Sequence, residues 1–343
     1  MSGILILPNE LIIKVFQYLS PVETNELILQ LGDFRTTHAH PIINLLYERL
    51  FSGKLMLIND EPNETFDPDL QLTLSSFQEK FIDGKINYEN LLFQLIRPNK
   101  LEFNFTRQHG DYMRFICNLN QFHEILFDPN IQRYFGKVFQ ADVYVDANLV
   151  LIENPDNLTA VIIKVILELS RHEEFIHKVK HLTVKASDIG NMCVPQWSFL
   201  LANFTSLISL NLLQNLLRSN YEGFLDVWGV HKKFPDRLRI LNLDSNMLTY
   251  VSNNFLKNLP DTLEELYMNQ NDIEIIESCE LGEVLPNLKR WELNYTKLRL
   301  MNSMMISSCK KGFTFEIVST YLSLYQIEKL HQIAKQKELI LVL

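Results

Sequence analysis

The chain has 343 residues, 47% of them apolar and 21% charged, with a formal net charge of −9. The length suggests about two domains and the apolar share supplies a sizeable core, while the negative balance argues against the basic footprint of a nucleic-acid binder. Cys117, Cys193, Cys279 and Cys309 are scattered without C-x-x-C spacing, which suggests neither a zinc site nor a disulfide framework.

The first twenty residues are apolar, but Pro8, Glu10 and Lys14 interrupt the run and no basic segment stands ahead of it. It therefore does not read as a signal peptide. No other apolar run reaches spanning length. Sequons at Asn63, Asn104, Asn157, Asn203 and Asn294 are expected to be chance in an Asn-rich chain. The expectation is a soluble cytoplasmic or nuclear protein that contacts neither membrane nor nucleic acid.

Between Pro8 and Leu19 the apolar residues Leu11, Ile12, Val15, Phe16 and Leu19 have the spacing of a helix with one wide apolar face. Pro8 suits the first turn of that helix, where its missing N–H costs nothing. Ser20-Pro21-Val22-Glu23 is a capping-box start for a second helix carrying Leu27, Ile28, Leu31 and Phe34. A third run, residues 42–47, follows His40-Pro41. Three short helices within fifty residues hold more apolar positions than so small a unit can hide within itself. Some of that surface must face the rest of the chain or a partner.

The order Leu7-Pro8-x-Glu10-Leu11, Val15-Phe16-x-Tyr18-Leu19, Pro21-x-Glu23 and Leu27 resembles an F-box over about residues 4–50. Thr24 stands where that family usually has leucine, and its Cys-Arg-x-Trp-like ending is absent, with only Phe34-Arg35 nearby. The resemblance implies docking on the Skp-type adaptor of a cullin-based SCF ubiquitin ligase. The implied contacts are Leu7, Pro8, Leu11, Val15, Leu19 and Leu27.

Residues 51–100 read as a connecting segment with an acidic loop and helices. Within it Asn59–Leu70, NDEPNETFDPDL, has five acidic residues, no basic ones and two prolines, the composition of a solvated loop. Residues 101–343 read as a repeat domain. Five segments fit L-x-x-L-x-L-x-x-N-x-L, beginning at Val179, Leu207, Leu238, Leu263 and Leu288. Their spacings lie within or close to the leucine-rich-repeat range. Asn215, Asn246 and Asn271 hold the asparagine position, with Ser187 and Thr296 at its ends. The chain resembles a leucine-rich-repeat protein, most clearly over residues 179–300.

Each x-L-x-L-x core predicts a short strand with inward leucines, and the asparagine is expected to satisfy backbone where the chain turns away. Pro260 and Pro286 end return segments, and NLTAVIIKVILEL from Asn157 has the rhythm of a helical one. Weaker strands are expected at LEFNF (101–105), DVYVD (142–146), FTFEI (313–317) and LILVL (339–343), giving about eight or nine in all. The last is nearly all apolar, and its outer side is expected to meet something. The predicted fold is α/β: a three-helix F-box followed by a leucine-rich-repeat solenoid with a curved parallel sheet and outer helices.

No catalytic constellation is visible. His38-Ala39-His40 lacks companions for a metal site, and G-x-S-x-G, H-E-x-x-H and phosphate-cradling glycine loops are all missing. The expectation is no cofactor, no metal and no enzyme activity. What remains is the concave face, where the residues between inward leucines project. These are Tyr144, Thr183, Asn211, Asn242, Asp244, Glu265, Tyr267, Arg290 and Glu292. Tyrosine and arginine are favoured anchors, and the acids favour a partner with basic side chains.

The two resemblances together imply a substrate-recognition subunit of an SCF ligase, whose helices attach to the adaptor, and through it cullin, while the repeats hold a target protein. Two alternatives stay open. One is a scaffold using the same adaptor in a kinetochore or trafficking assembly; the other is a plain leucine-rich-repeat binding protein whose leading helices cap the solenoid.

Overall fold

The structure, a computed structural model, describes Leu11, Lys14, Val15, Tyr18, Leu19, Glu23 and Leu27, then residues 54–58, 70–73, 100–106, 112–127 and 140–147. It further describes residues 162, 164–166, 169–171, 176–187, 189, 201–217 and 234–343. Leu7, Pro8, the run at 42–47, the histidine pair at 38 and 40, Cys193 and the loop at 59–69 lie outside these residues. Two compact units are present. The first comprises Met1–Phe105 and Met113–Asp142, the second Thr106–Tyr112 and Val143–Leu343.

In the first unit, Leu11, Lys14, Val15, Glu23 and Leu27 are helical. The Tyr18 N–H donates to the Val15 carbonyl at 3.3 Å, a tightened last turn of the kind common at helix ends. Further on come β1 (Lys54–Ile58) and β2 (Leu70–Thr73), then β3 (Lys100–Thr106) and α1 (Tyr112–Phe127). β1 pairs in parallel with both β2 and β3. Neither β1 nor β2 was expected from the sequence, where the acidic stretch between them dominates the pattern.

β3 alternates as period-2 geometry requires, with Leu101, Phe103 and Phe105 buried. α1 buries Phe115, Leu119 and Phe122, one helix stripe. Phe122 joins the two elements, its ring 4.5 Å from Phe103 and 4.8 Å from Phe105. β4 (Gln140–Asp146) begins in the first unit and ends in the second.

The second unit is a parallel sheet built by repetition. Its strands in chain order are β5 (Val179–Lys185), β6 (Ser209–Asn211), β7 (Ile240–Asn242), β8 (Tyr250–Val251), β9 (Glu265–Tyr267), β10 (Ile275–Ile276), β11 (Arg290–Glu292), β12 (Thr314–Glu316) and β13 (Ile340–Val342). The main sheet runs β5-β6-β7-β9-β11-β12-β13, each neighbour parallel. β8 and β10 form a separate small parallel pair on the return side of their repeats.

Register is uniform. Leu182, Leu210, Leu241, Leu266, Trp291 and Phe315 are aligned across the sheet, and all are essentially inaccessible. A second inward row, Val184, Leu212, Leu243, Met268, Leu293 and Ile317, is buried beside them. The sequence template and the observed core therefore coincide.

Return segments are short and varied. They include α2 (Asn253–Asn258), α3 (Leu281–Val284), a 3-10 turn at Ser303–Ser308 and the longer α4 (Leu324–Lys337). Ser252 caps α2 by accepting the Phe255 N–H at 3.0 Å. Ser323 and Gln326 form a reciprocal capping box at the start of α4, which satisfies two donors that helix geometry leaves open. In the segment from Asn157, the helical residues Ile162, Val165, Ile166 and Leu169 are buried, the stripe its periodicity predicts. Pro235 and Pro260 accept the N–H of Leu238 and Leu263 at 3.0 Å, so each closes the turn that delivers the chain to a strand. Gly282 sits so close to the 3-10 turn that an added Cβ would fall 2.0 Å from the Ser308 carbonyl oxygen. No side chain fits there.

Candidate functional site: the open face of the repeat sheet

Each strand of the second unit has one row facing the core and one facing away. One outward row is Thr183, Asn211, Asn242, Tyr267, Glu292, Glu316 and Val342. A parallel row one pleat earlier is His181, Ser209, Ile240, Glu265, Arg290, Thr314 and Ile340. Eight of the nine residues expected on this face lie in these rows or continue them. Tyr144, the ninth, is half-buried on β4 beside Asp146, within the second unit.

The face depends on a polar spine behind it. Ser187, Asn215, Asn246, Asn271 and Thr296 are all buried, in the turn that follows each strand. The Asn246 carboxamide oxygen accepts the N–H groups of Asn215 (2.9 Å) and Leu217 (3.1 Å) from the preceding repeat. Its nitrogen donates to the carbonyls of Leu212 (3.0 Å) and Leu243 (2.9 Å). Asn215 and Asn271 repeat the arrangement on Ser187 and Val184, and on Leu248 and Leu243. Buried backbone groups must be paired, and a side chain with both donor and acceptor ends does this between repeats. Ser187 and Thr296 carry only hydroxyls, and each bonds a carbonyl in its own turn.

The residue just before each spine position has left-handed backbone. Ala186, Gln214, Ser245, Gln270 and Tyr295 have φ between 46° and 58°. None is glycine, so each turn holds a conformation that costs a residue with a Cβ about 1–2 kcal/mol. Sequence reasoning missed this row because no glycine marks it.

A second ladder links consecutive repeats just past the strand ends. Asp244, Asn269 and Asn294 each accept, through a side-chain oxygen, the backbone N–H of the residue one repeat on. Those donors are Asn269 (2.6 Å), Asn294 (2.8 Å) and Val318 (2.8 Å). The free ends of the two asparagines reach sideways: Asn269 Nδ2 donates to Glu292 (2.8 Å), and Asn294 Nδ2 to Glu316 (3.2 Å). Arg290 donates from Nε to Glu292 and from Nη2 to Glu316, and the Tyr267 hydroxyl donates to Glu265. Of this set, Asn269, Asn294 and Glu316 were not singled out beforehand; only the observed register brings them to the face.

The electrostatics follow from that packing. Burial raises the Asp244 carboxyl above the usual range, and the charge of Glu292 adds to the effect against the hydrogen bonds from Asn269 and Asn242. Burial also raises the Tyr267 phenol, helped by its bond to Glu265, so it stays protonated and donating at neutral pH. Toward the other end of the unit, Lys185 pairs with Asp146 at 2.9 Å. Along the rim, Glu264 bridges Arg239 and Lys289, and the Lys289 bond holds its carboxyl below the usual range.

Among the described residues no group of three or more metal-ligating side chains occurs. Burial pushes the Cys309 thiol up to about 12, with Cys279 nearby adding to it, and burial raises Cys279 as well; thiols so shifted are poor nucleophiles. Among the described residues no helix is long and apolar enough to cross a membrane.

The predicted adaptor contacts belong to the first unit. Leu11 and Val15 are 47% and 49% exposed, Tyr18 is 87% exposed, and Leu19 and Leu27 are half-buried.

No family model matches the chain, and no curated protein does either. Solved structures similar to it include two from Listeria monocytogenes. One is an internalin C2, 14% identical, covering 66% of this chain and 83% of its own with a TM-score of 0.38. The other is the internalin inlF, also 14% identical, covering 73% of this chain and 68% of its own with a TM-score of 0.39. The leucine-rich-repeat architecture of the second unit rests on its own register and spine.

Proposed function

We propose that this chain is a substrate-recognition subunit of an SCF-type ubiquitin ligase. Its leading helices dock on a Skp-type adaptor, and through it cullin, while the open face of the repeats holds a target protein. The chain is not itself an enzyme in this reading and works in the cytoplasm or nucleus. Catalysis is by tethering, which replaces diffusional encounter with a high local concentration.

The observation that carries the reading is the exposure of Leu11 and Val15. They stand one helical turn apart in the Leu-Pro-x-Glu-Leu…Val-Phe-x-Tyr-Leu order quoted above. Apolar residues at that spacing serve a core when covered, and here they are half open to solvent. A partner helix or groove that covers them gains about 1 kcal/mol or more from each.

The test is co-purification with a Skp-type adaptor, repeated with Leu11→Asp and Val15→Asp together. Adaptor capture should be lost while the urea midpoint of the repeat unit is unchanged. Retained capture would remove this docking face. The scaffold alternative shares the adaptor, so it is separated by whether cullin joins and whether a captured partner becomes ubiquitinated.

A further inference from the structure

The open face changes character along the sheet. Over β5 and β6 its central rows hold His181, Thr183, Ser209 and Asn211, small or uncharged apart from the histidine. From β7 onward the face carries four carboxylates, Asp244, Glu265, Glu292 and Glu316, and one guanidinium, Arg290, which bonds Glu292 and Glu316. Parallel strands stand about 4.8 Å apart, so Tyr267, Glu292, Glu316 and Val342 form an aromatic, acidic, acidic, apolar sequence about 14 Å long. At its far end Ile340 and Val342 are 52% and 37% exposed, and both lie in the outward rows.

These carboxylates are held in place by neighbours. Asn269 and Asn294 bond one oxygen of Glu292 and Glu316, Arg290 bonds the others, and Tyr267 orients Glu265. A charged group already fixed in orientation loses little entropy when a partner arrives. One guanidinium does not balance four acids; burial raises the carboxyl of Asp244, and the charge of Glu292 adds to it.

We propose that the face formed by β9, β11, β12 and β13 receives an extended protein segment bearing two closely spaced arginine or lysine side chains followed by an aliphatic one. The cations meet Glu265, Glu292 and Glu316, and the aliphatic residue rests on Ile340 and Val342. This rests on the open face as the partner-binding surface and not on adaptor attachment. The sign of the charge excludes a nucleic-acid backbone, and the apolar shoulder distinguishes a peptide from a simple cation.

The probe is a fluorescein-labelled peptide, Gly-Ser-Arg-Ser-Arg-Ser-Val-Ser-Gly, titrated against the full chain by anisotropy, beside a counterpart with both arginines replaced by glutamate. The arginine probe should bind and weaken with added salt, and the glutamate probe should not bind. Glu292→Gln and Glu316→Gln keep size and acceptor, and each should weaken binding roughly threefold, the pair about tenfold. Arg290→Gln should tighten it, an opposite sign that damage to the fold does not produce. Equal binding of both probes, no binding of the arginine probe to folded protein, or indifference to the glutamate variants would overturn the proposal. So would self-association of the chain that the glutamate variants abolish, which assigns the face to a second copy. Adaptor capture should be untouched by these variants, and Leu11→Asp with Val15→Asp should leave peptide binding intact, so the two readings fail separately.

Discussion

Asn242 and Asn246 are four residues apart in the same repeat and have opposite employments. Asn246 is buried and bonds four or more backbone groups in two repeats. Asn242 is half-exposed on the open face, and its side-chain oxygen accepts one nearby N–H, that of Asp244 at 2.8 Å. Identical side chains thus serve the scaffold on one side of the strand and the surface on the other. What separates them is whether water can replace the bond when it is lost.

The sharpest way to break that comparison is to truncate both. Asn246→Ala leaves several buried N–H and C=O groups unpaired and should cost about 3 kcal/mol or more, read from urea denaturation. Asn242→Ala should cost about 1 kcal/mol or less. Equal costs would mean that the two sides of the strand are not distinct.

Gly282→Ala probes the scaffold at another point. A methyl placed against the Ser308 carbonyl must push α3 away from the 3-10 turn, at a cost of about 1–3 kcal/mol, seen as a lower melting temperature.

Asp244→Asn tests the face. A carboxyl whose folded value is raised binds its proton more tightly when folded, so its contribution is most favourable at acid pH. That contribution declines as pH rises from about 3.9 through the raised value. At neutral pH the asparagine variant should therefore be more stable by about 0.5 kcal/mol, discounted for partial exposure, since it keeps an acceptor for the Asn269 N–H. The advantage should shrink below about pH 4; a constant or reversed difference across the pH series would show that the charge is not the cause.

The smallest effect concerns the left-handed row. Tyr295 has φ 58° with an exposed ring, and Tyr295→Gly should relieve backbone strain at little packing cost, gaining up to about 1 kcal/mol. A loss of stability would mean that the ring makes contacts the turn depends on.

Much of the second unit was readable because Leu210, Leu241 and Leu266 recur with an asparagine at a constant offset, and Leu182 with Ser187 in its place. Burial on both sides of a repeat demands that pattern, so it survives in the chain. The face was readable only in part. Glu316 lies in FTFEI, where Phe313 and Phe315 suggest a strand but no asparagine sets its frame. Asn269 and Asn294 look like loop residues until the register places them beside Glu292 and Glu316. β1 and β2 escaped because neither carries the leucine-and-asparagine frame of the repeats, and the acids between them suggest only a loop. Leu11 and Val15 illustrate the converse limit: helical spacing shows that they share a face, while only coordinates report how open that face is.

The spine also has a direction. Asn246 completes the turn of the repeat before it, and Asn271 does the same for the turn that Asn246 begins. The turns at Ser187, at Asn215 and at Leu248 are thus each finished by the asparagine of the next module, as a course of roof tiles is locked by the next one laid. On the ribosome, where earlier residues emerge first, each turn must wait with open amides until the following module is made. A ribosome paused midway would expose one incomplete turn at the growing edge, while the modules behind it are already sealed.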